Sequence, residues 1–175
     1  MVARVPGPYA GESCDMPDLA ALNALPQRDF EESLLRCCAA PGWARQVTAG
    51  RPYASVADLL AAADAAWAAR EPGDLDAAMS GHPRIGDQGL SGPSRQEQAG
   101  IGTDARALAA LRAANEAYQE RFGHVFLICA TGLGPGDILA ALQQRMANDG
   151  NTELAVTAAE IGKINAIRLR RLVGQ

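Results

Sequence analysis

Along most of this chain apolar residues recur at intervals of three and four, the spacing of helices that bury one face. Phe30, Leu34 and the Cys37/Cys38 pair fall at i, i+4 and i+7/i+8 and predict a helix over 29–39, after one short helical turn at 18–23. Pro41-Gly42 stops that helix, and a short one follows over 43–47 with Trp43 buried. Arg51-Pro52-Tyr53 reads as an extended connector, because a proline disfavours helical backbone in its predecessor. Ser55 is placed to cap the next helix, with Asp58 in its first turn and Val56, Leu59, Leu60, Ala63 and Trp67 on its apolar face. Glu71-Pro72-Gly73 ends it, and a short helix over 74–79 is closed by Gly81 in the manner of a C′ glycine.

A polar, turn-rich stretch follows from Gly81 to Gly102, with turns marked by Gly86, Gly89 and Gly92-Pro93. Thr103 or Asp104 then caps a long helix to Phe122, in which Leu108, Leu111, Asn115, Tyr118 and Phe122 share a face and Gly123 provides the stop. The apolar run His124–Ala130 is β-like but has no second run of its kind to pair with, so it is expected as buried extended chain or the start of a short helix. Gly132–Gly136 is a loop without the G-K-[ST] of a phosphate loop. Pro135 and Asp137 begin a helix with Ile138, Leu139, Leu142 and Met146 inward, and Asn148–Asn151 is a turn. The last helix, over 152–173, carries an apolar arc of Leu154, Ala155, Ala158, Ile161, Gly162, Leu169, Leu172 and Val173. Arg168 falls on the rim of that arc, and Lys163, Ile167, Arg170 and Arg171 point away. The fold class is therefore all-α: a single-domain bundle of about seven to nine helices over residues 16–175, with a site in a cleft between helices, behind a loose extension at 1–15.

Composition narrows the function. Sixteen basic residues against 20 acidic ones give a net charge of −4, and no basic run occurs, which argues against nucleic acid or an anionic membrane as partner. Residues 1–15 lack the continuous apolar core of a secretory signal, and no apolar run is long enough to span a bilayer. Cys14, Cys37, Cys38 and Cys129 have neither C-x-x-C nor Cys…His ligand spacing, so neither a zinc site nor a disulfide framework is expected, and free cysteines suit a reducing cytoplasm.

Candidate chemistry gathers in the polar stretch. His82 is the best titratable candidate, since an ordinary imidazole pKa of about 6.5 suits proton transfer near neutrality, although a loop histidine bonded to backbone is the commoner case. Ser94-x-x-Glu97 fits a capping box, and the same carboxylate, beside the Gln98 amide, could accept ligand N–H groups. Arg168 is either a solvated helix residue or a bidentate carboxylate binder. His124 and Cys129 read as structural, and Asn115, Tyr118 and Asn165 as cleft-polarising or helix-bridging groups. On the residues alone three readings stay open: an enzyme with a His/Glu/Arg site, a His/Glu hydrolase of a cyclic ureido compound, and a non-catalytic helical ligand-binding module.

Six phrases in chain order add a resemblance: G-H-P-x-I-G at 81–86, S-R-x-E-Q-A-G at 94–100, N-E-x-Y-x-x-R-F-G at 115–123, F-L-I-C-A at 126–130, I-L-x-A-L-x-x-R-x-x-N at 138–148 and E-I-G-K-I-x-x-x-R-L at 160–169. With L-N-x-L-P at 22–26 and R-P-Y-x-S at 51–55, the chain from about Asp18 resembles the decarboxylases of 2-oxo-4-hydroxy-4-carboxy-5-ureidoimidazoline (OHCU) of urate degradation. The resemblance implies an all-α, cofactor-free homodimer that takes a small molecule, OHCU, to (S)-allantoin and carbon dioxide. It implies His82 as proton donor, Glu97 as essential carboxylate and Arg168 as essential arginine. It implies substrate contacts from Pro83, from Ser94, Arg95, Gln96, Glu97 and Gln98, and from Phe126, Leu127, Ile128, Cys129 and Ala130. His124-Val125 departs from the family's usual aromatic or apolar residue followed by proline, Thr131 stands where arginine is common, and the loop between His82 and Ser94 is short.

Overall fold

Two prolines that the sequence pattern marks as stops turn out to be starts. In the computed structural model, which describes residues 18–82 and 105–175, Pro41 and Pro72 each occupy the first turn of a helix. Proline is at home there, because the amide hydrogen it lacks has no helical acceptor and its fixed φ suits the helix. Eight helices are present among the described residues: α1 (Leu19–Ala24), α2 (Gln27–Cys37), α3 (Pro41–Ala49), α4 (Val56–Ala68), α5 (Pro72–Ser80), α6 (Ala105–Phe122), α7 (Pro135–Arg145) and α8 (Gly150–Leu172). No strand occurs among the described residues, and the all-α single-domain expectation holds there. The extension at 1–15, the Ser94–Glu97 capping box, the marked turns at 86–93 and the Thr103 or Asp104 cap lie outside the described residues.

Local chemistry sets the helix ends. Asp18 accepts from the Ala21 amide at 2.8 Å, Ser55 from the Asp58 amide at 3.1 Å, and Asp149 from the Asn151 and Thr152 amides at 3.0 Å. Each satisfies amides that a helix start leaves without an intrahelical partner. Gly123, at φ 78°, ends α6.

The helices pack around two apolar clusters. The larger joins α1–α5 to α8 through fully buried side chains, among them Leu22, Phe30, Trp43, Leu59, Ala78 and Ile161. Each large side chain so buried contributes about 1.5–3 kcal/mol relative to exposure. Both indoles also donate across helices: Trp43 Nε1 to the Ala63 carbonyl at 2.9 Å, and Trp67 Nε1 to the Ala158 carbonyl at 2.8 Å. The second cluster joins α6 and α7 through Leu111, Tyr118, Ile138 and Leu142. The run after α6 is the seam between them. Val125 and Leu127 pack into the first cluster, while Phe126, Ile128 and Ala130 pack into the second. Side chains that alternate between two sides are the mark of extended chain, and here the run pairs with no strand.

The face of α8 needs correction. Leu154 and Ala155, assigned to its inner arc, are exposed, and Glu153 is fully buried in their place. The buried stripe runs through Glu153, Thr157, Ile161, Ile164 and Arg168, so Arg168 lies inside it and not on its rim. Ranking residues by hydrophobicity put the arc out of phase, because the ends of the true stripe are charged residues with internal partners.

Gly81 also differs from expectation. Its backbone is right-handed helical (φ −80°, ψ −5°), so it is no left-handed C′ residue. Its need is space: a Cβ there would lie 2.8 Å from the Ala39 Cβ. Gly81→Ala is therefore expected to destabilise the fold by about 1–3 kcal/mol through overpacking. Gly73→Ala, with nothing within 4 Å of the added carbon, should change stability by less than about 0.5 kcal/mol. Urea denaturation of the two variants checks the contrast.

Candidate active site

Among the described residues, Gly81, the neighbour of His82, and Arg168 both reach the corner where α2 ends and its connector begins, 37–40. His82 follows α5 directly and is 9% exposed. Its main-chain N–H donates to Met79 at 3.3 Å, and its ring Nδ1 lies 2.7 Å from the Ala78 carbonyl. A carbonyl only accepts, so Nδ1 carries the hydrogen, and in the neutral ring Nε2 is the basic nitrogen. The close approach of Gly81 to Ala39 seats this corner against the connector. Arg168, also 9% exposed, donates from Nη1 to the Cys37 carbonyl at 2.9 Å. The connector's own Cys38 is a poor nucleophile: burial pushes its thiol up to about 12, against the smaller opposing effects of the Asn165 amide and the Arg168 charge.

A hollow of about 320 Å³ opens beside His82, between α5 and the end of α6. His124, read from sequence as structural, lines it together with Asp76 and Gln119. Its ring meets Tyr118 edge-on at 5.6 Å between centroids.

The seam 126–130 is held by charged side chains. Arg145 Nη1 donates to the Leu127 carbonyl at 2.6 Å, and the Cys129 amide donates to Glu160 Oε2 at 2.8 Å. Of the backbone groups in this run, these two are thus engaged inside the protein, as is the Ala130 carbonyl, which accepts from the Leu133 amide at 3.0 Å. Phe126, Leu127 and Ala130 are buried; Ile128 and Cys129 are half-buried.

Beneath the seam lies a network that sequence reasoning missed. Arg145 reaches Glu153 Oε1 through Nε at 2.8 Å and through Nη2, and Thr157 Oγ1 at 2.9 Å. Tyr118 donates its hydroxyl to the same carboxylate, and Asn148 Nδ2 donates to Oε2 at 2.7 Å. Burial alone would raise the Glu153 pKa, but the hydrogen bonds from Arg145, Tyr118 and Asn148 outweigh it and hold the carboxyl below its ordinary range. Burial, with the neighbouring carboxylate, pushes the Tyr118 phenol up. The only trace of it in the sequence is that Glu153 shares a helical stripe with Thr157, Ile161, Ile164 and Arg168; its partners Arg145 and Tyr118 lie on other helices. Of the polar candidates, Tyr118 bridges α6 and α8, whereas Asn115 Nδ2 bonds within its own helix to the Leu111 carbonyl at 2.9 Å. Pro83, Ser94, Arg95, Gln96, Glu97 and Gln98 lie outside the described residues.

The OHCU decarboxylase family model matches residues 23–170. The chain belongs to the OHCU decarboxylase family. It is 29% identical over 168 residues to the 2-oxo-4-hydroxy-4-carboxy-5-ureidoimidazoline decarboxylase of Amia calva, covering 89% of this chain and 94% of that one. It is 32% identical over 145 residues to the uric acid degradation bifunctional protein TTL of Arabidopsis thaliana, covering 78% of this chain but only 45% of the plant protein. A crystal structure of OHCU decarboxylase in the presence of (S)-allantoin superposes with a TM-score of 0.73 at 32% identity, over 83% of this chain and 99% of that one. A decarboxylase role, that of a carboxy-lyase, follows from family membership. Among the described residues no three His, Cys, Asp or Glu side chains gather where a metal ion could be held, and no described helix is long and apolar enough to cross a membrane.

The Glu153 network carries a stability prediction for this family member. Glu153→Ala strands the Arg145 charge in the interior and should cost about 3–5 kcal/mol, while the double change Arg145→Met/Glu153→Leu should recover most of it. Because the Glu153 carboxyl is held below its unfolded value, its contribution is present above the ordinary carboxylate pKa of about 4.3 and is lost as pH falls through the lower folded value. Thermal denaturation from about pH 7 down to about pH 3, roughly one unit below the ordinary carboxylate pKa, should show a smaller acid loss in the double variant.

Proposed function

We propose that this chain decarboxylates OHCU to (S)-allantoin and carbon dioxide without a cofactor, with His82 as general acid and Glu97 and Arg168 orienting the substrate. The observation that supports it best is that Gly81, next to His82, and Arg168 both reach the corner at the end of α2, in a chain that also carries the family's Ser94–Gln98 phrase. When the carbon–carbon bond breaks, its electron pair stays on the ring carbon and carbon dioxide leaves. The pair spreads into the adjacent unsaturated ring, so the site has to orient the carboxylate, stabilise developing charge and deliver one proton to one face. With Nδ1 committed to the Ala78 carbonyl, the proton leaves from Nε2 of His82. Glu97 accepts ureido or ring N–H groups and favours protonated His82 by charge; Ser94 and Gln98 complete the polar fit, and Pro83, Arg95 and Gln96 make further substrate contacts. Phe126, Leu127 and Ala130 exclude water, and the backbone around Ile128 and Cys129 meets the ring edge. Arg168 holds a substrate carboxylate or oxygen while keeping its bond to Cys37. A cytoplasmic homodimer of one domain over 16–175, behind an extension at 1–15, is the form in which we expect it to work.

Freshly generated OHCU supplied to the purified protein should yield optically active allantoin, whereas uncatalysed decay gives a racemate. His82→Ala should lower kcat/KM by about 10²–10⁴-fold, the usual contribution of a positioned general acid. Arg168→Lys should also lower it, because an ammonium cannot replace a planar fork. Turnover at the wild-type rate in His82→Ala would overturn the assignment of the acid, and racemic product from the wild type would overturn the activity.

A further inference from the structure

Glu160 and Arg145 hold the two peptide groups that flank Ile128. Glu160 Oε2 accepts the Cys129 N–H at 2.8 Å, and Arg145 Nη1 donates to the Leu127 carbonyl at 2.6 Å. A peptide unit is planar and trans, so its C=O and N–H point in opposite directions. Fixing the Leu127 carbonyl on Arg145 therefore aims the Ile128 N–H away from Arg145. Fixing the Cys129 N–H on Glu160 aims the Ile128 carbonyl away from Glu160. The result is one donor and one acceptor on a half-buried residue, with no partner among the described residues for either. An adjacent N–H and C=O of this kind match the edge of an amide, a ureide or a cyclic imide. The holding group is itself built: Glu160 is 13% exposed and its second oxygen takes the Lys163 ammonium at 2.6 Å, while Lys163 is 61% exposed.

We propose that Glu160 is a positioning residue for substrate recognition, which by gripping the Cys129 amide aims the Ile128 carbonyl at an N–H of a bound ureido ring. The inference rests on the decarboxylase reading for its ligand, though not for the grip itself. The Arg145 contact is its counterpart on the donor side, but Arg145 also neutralises Glu153, so Glu160 is the residue to test.

Glu160→Gln keeps a side-chain oxygen for the Cys129 N–H; Glu160→Ala removes it, and Glu160→Asp withdraws it by one methylene. Amide hydrogen exchange, which needs no turnover, should show faster exchange at Cys129 in Glu160→Ala and Glu160→Asp, with protection kept in Glu160→Gln. Because the Ile128 edge binds ground state and transition state alike, KM for OHCU and the dissociation constant for (S)-allantoin should rise about tenfold in the Ala and Asp variants, with kcat little changed. Glu160→Gln and Lys163→Ala should stay within about threefold of wild type, since the acceptor survives in both. Wild-type KM in Glu160→Asp despite lost Cys129 protection would overturn the proposal, as would unaltered protection in Glu160→Asp; Glu160→Asp decides the matter if the Ala variant does not fold. An inactive wild type would overturn the decarboxylase reading and with it the ligand named here, whereas an active wild type with an indifferent Glu160→Asp would overturn this inference alone.

Discussion

A carboxylate with no exposure at all, that of Glu153, is the constraint around which the second half of the chain is arranged. An ionised carboxylate taken out of water is tolerated only with a charge partner and satisfied lone pairs. Arg145 supplies the charge, and Tyr118, Asn148 and Arg145 together supply the donors. These partners come from α6, from α7 and from the turn before α8. Satisfying one carboxylate thus brings three elements to a common point. The guanidinium has donors left over, and one of them fixes the Leu127 carbonyl. The requirement for neutralisation and the placement of the seam are one arrangement of donors.

The same helix repeats the device. Glu153, Glu160 and Arg168 follow at intervals of seven and eight residues along α8, about 10–12 Å apart at the helical rise. Each reaches a different part of the chain: Glu153 the α6–α7 pair, Glu160 the Cys129 amide, and Arg168 the Cys37 carbonyl. Two of these targets are backbone groups that no helix or sheet satisfies: the last carbonyl of α2 and an amide of the seam that follows α6. A long helix packed on the larger core is a stiff support, so connectors tied to it hold their positions better than apolar contact alone would allow. In the decarboxylase reading, a site assembled from connectors needs that kind of support, since orientation of the substrate is most of what the enzyme has to provide.

Much of the scaffold was legible in the sequence because hydrophobic periodicity and capping chemistry are local. The α2 face, the Ser55 cap, the buried Trp43 and the unpaired seam all follow from residues within a few positions of one another. Long-range polar pairing was not legible. Nothing near Glu153 in sequence announces Arg145 as its partner across eight residues and a turn, and so the exposed Leu154 looked the better core residue. Pro41 and Pro72 misled for a related reason. A proline marks a helix boundary without saying on which side the helix lies. For the site, the imidazole and the guanidinium were picked out by their chemistry and given roles by the family phrases, whereas the Glu160 grip on a backbone amide is a contact between residues 31 apart that no spacing rule exposes.

The departures at 124, 125 and 131 can be weighed on packing. His124 keeps an aromatic ring in contact with Tyr118, edge-on at 5.6 Å, and tilted by 32° to Phe122 at 6.2 Å. An imidazole can therefore fill a place where an aromatic or apolar side chain is usual without opening the second cluster. Val125, in place of proline, packs against the larger core, so the entry to the seam is set by burial and does not need a fixed φ. Thr131 is exposed and leads into the turn closed by the Leu133 amide on the Ala130 carbonyl, so a long cation there is no part of the interior. The three changes leave the seam's position to α7 and α8, where Arg145 and Glu160 hold it. What His124 alters is the chemistry of the hollow: a second ionisable ring now stands on the wall that His82 shares.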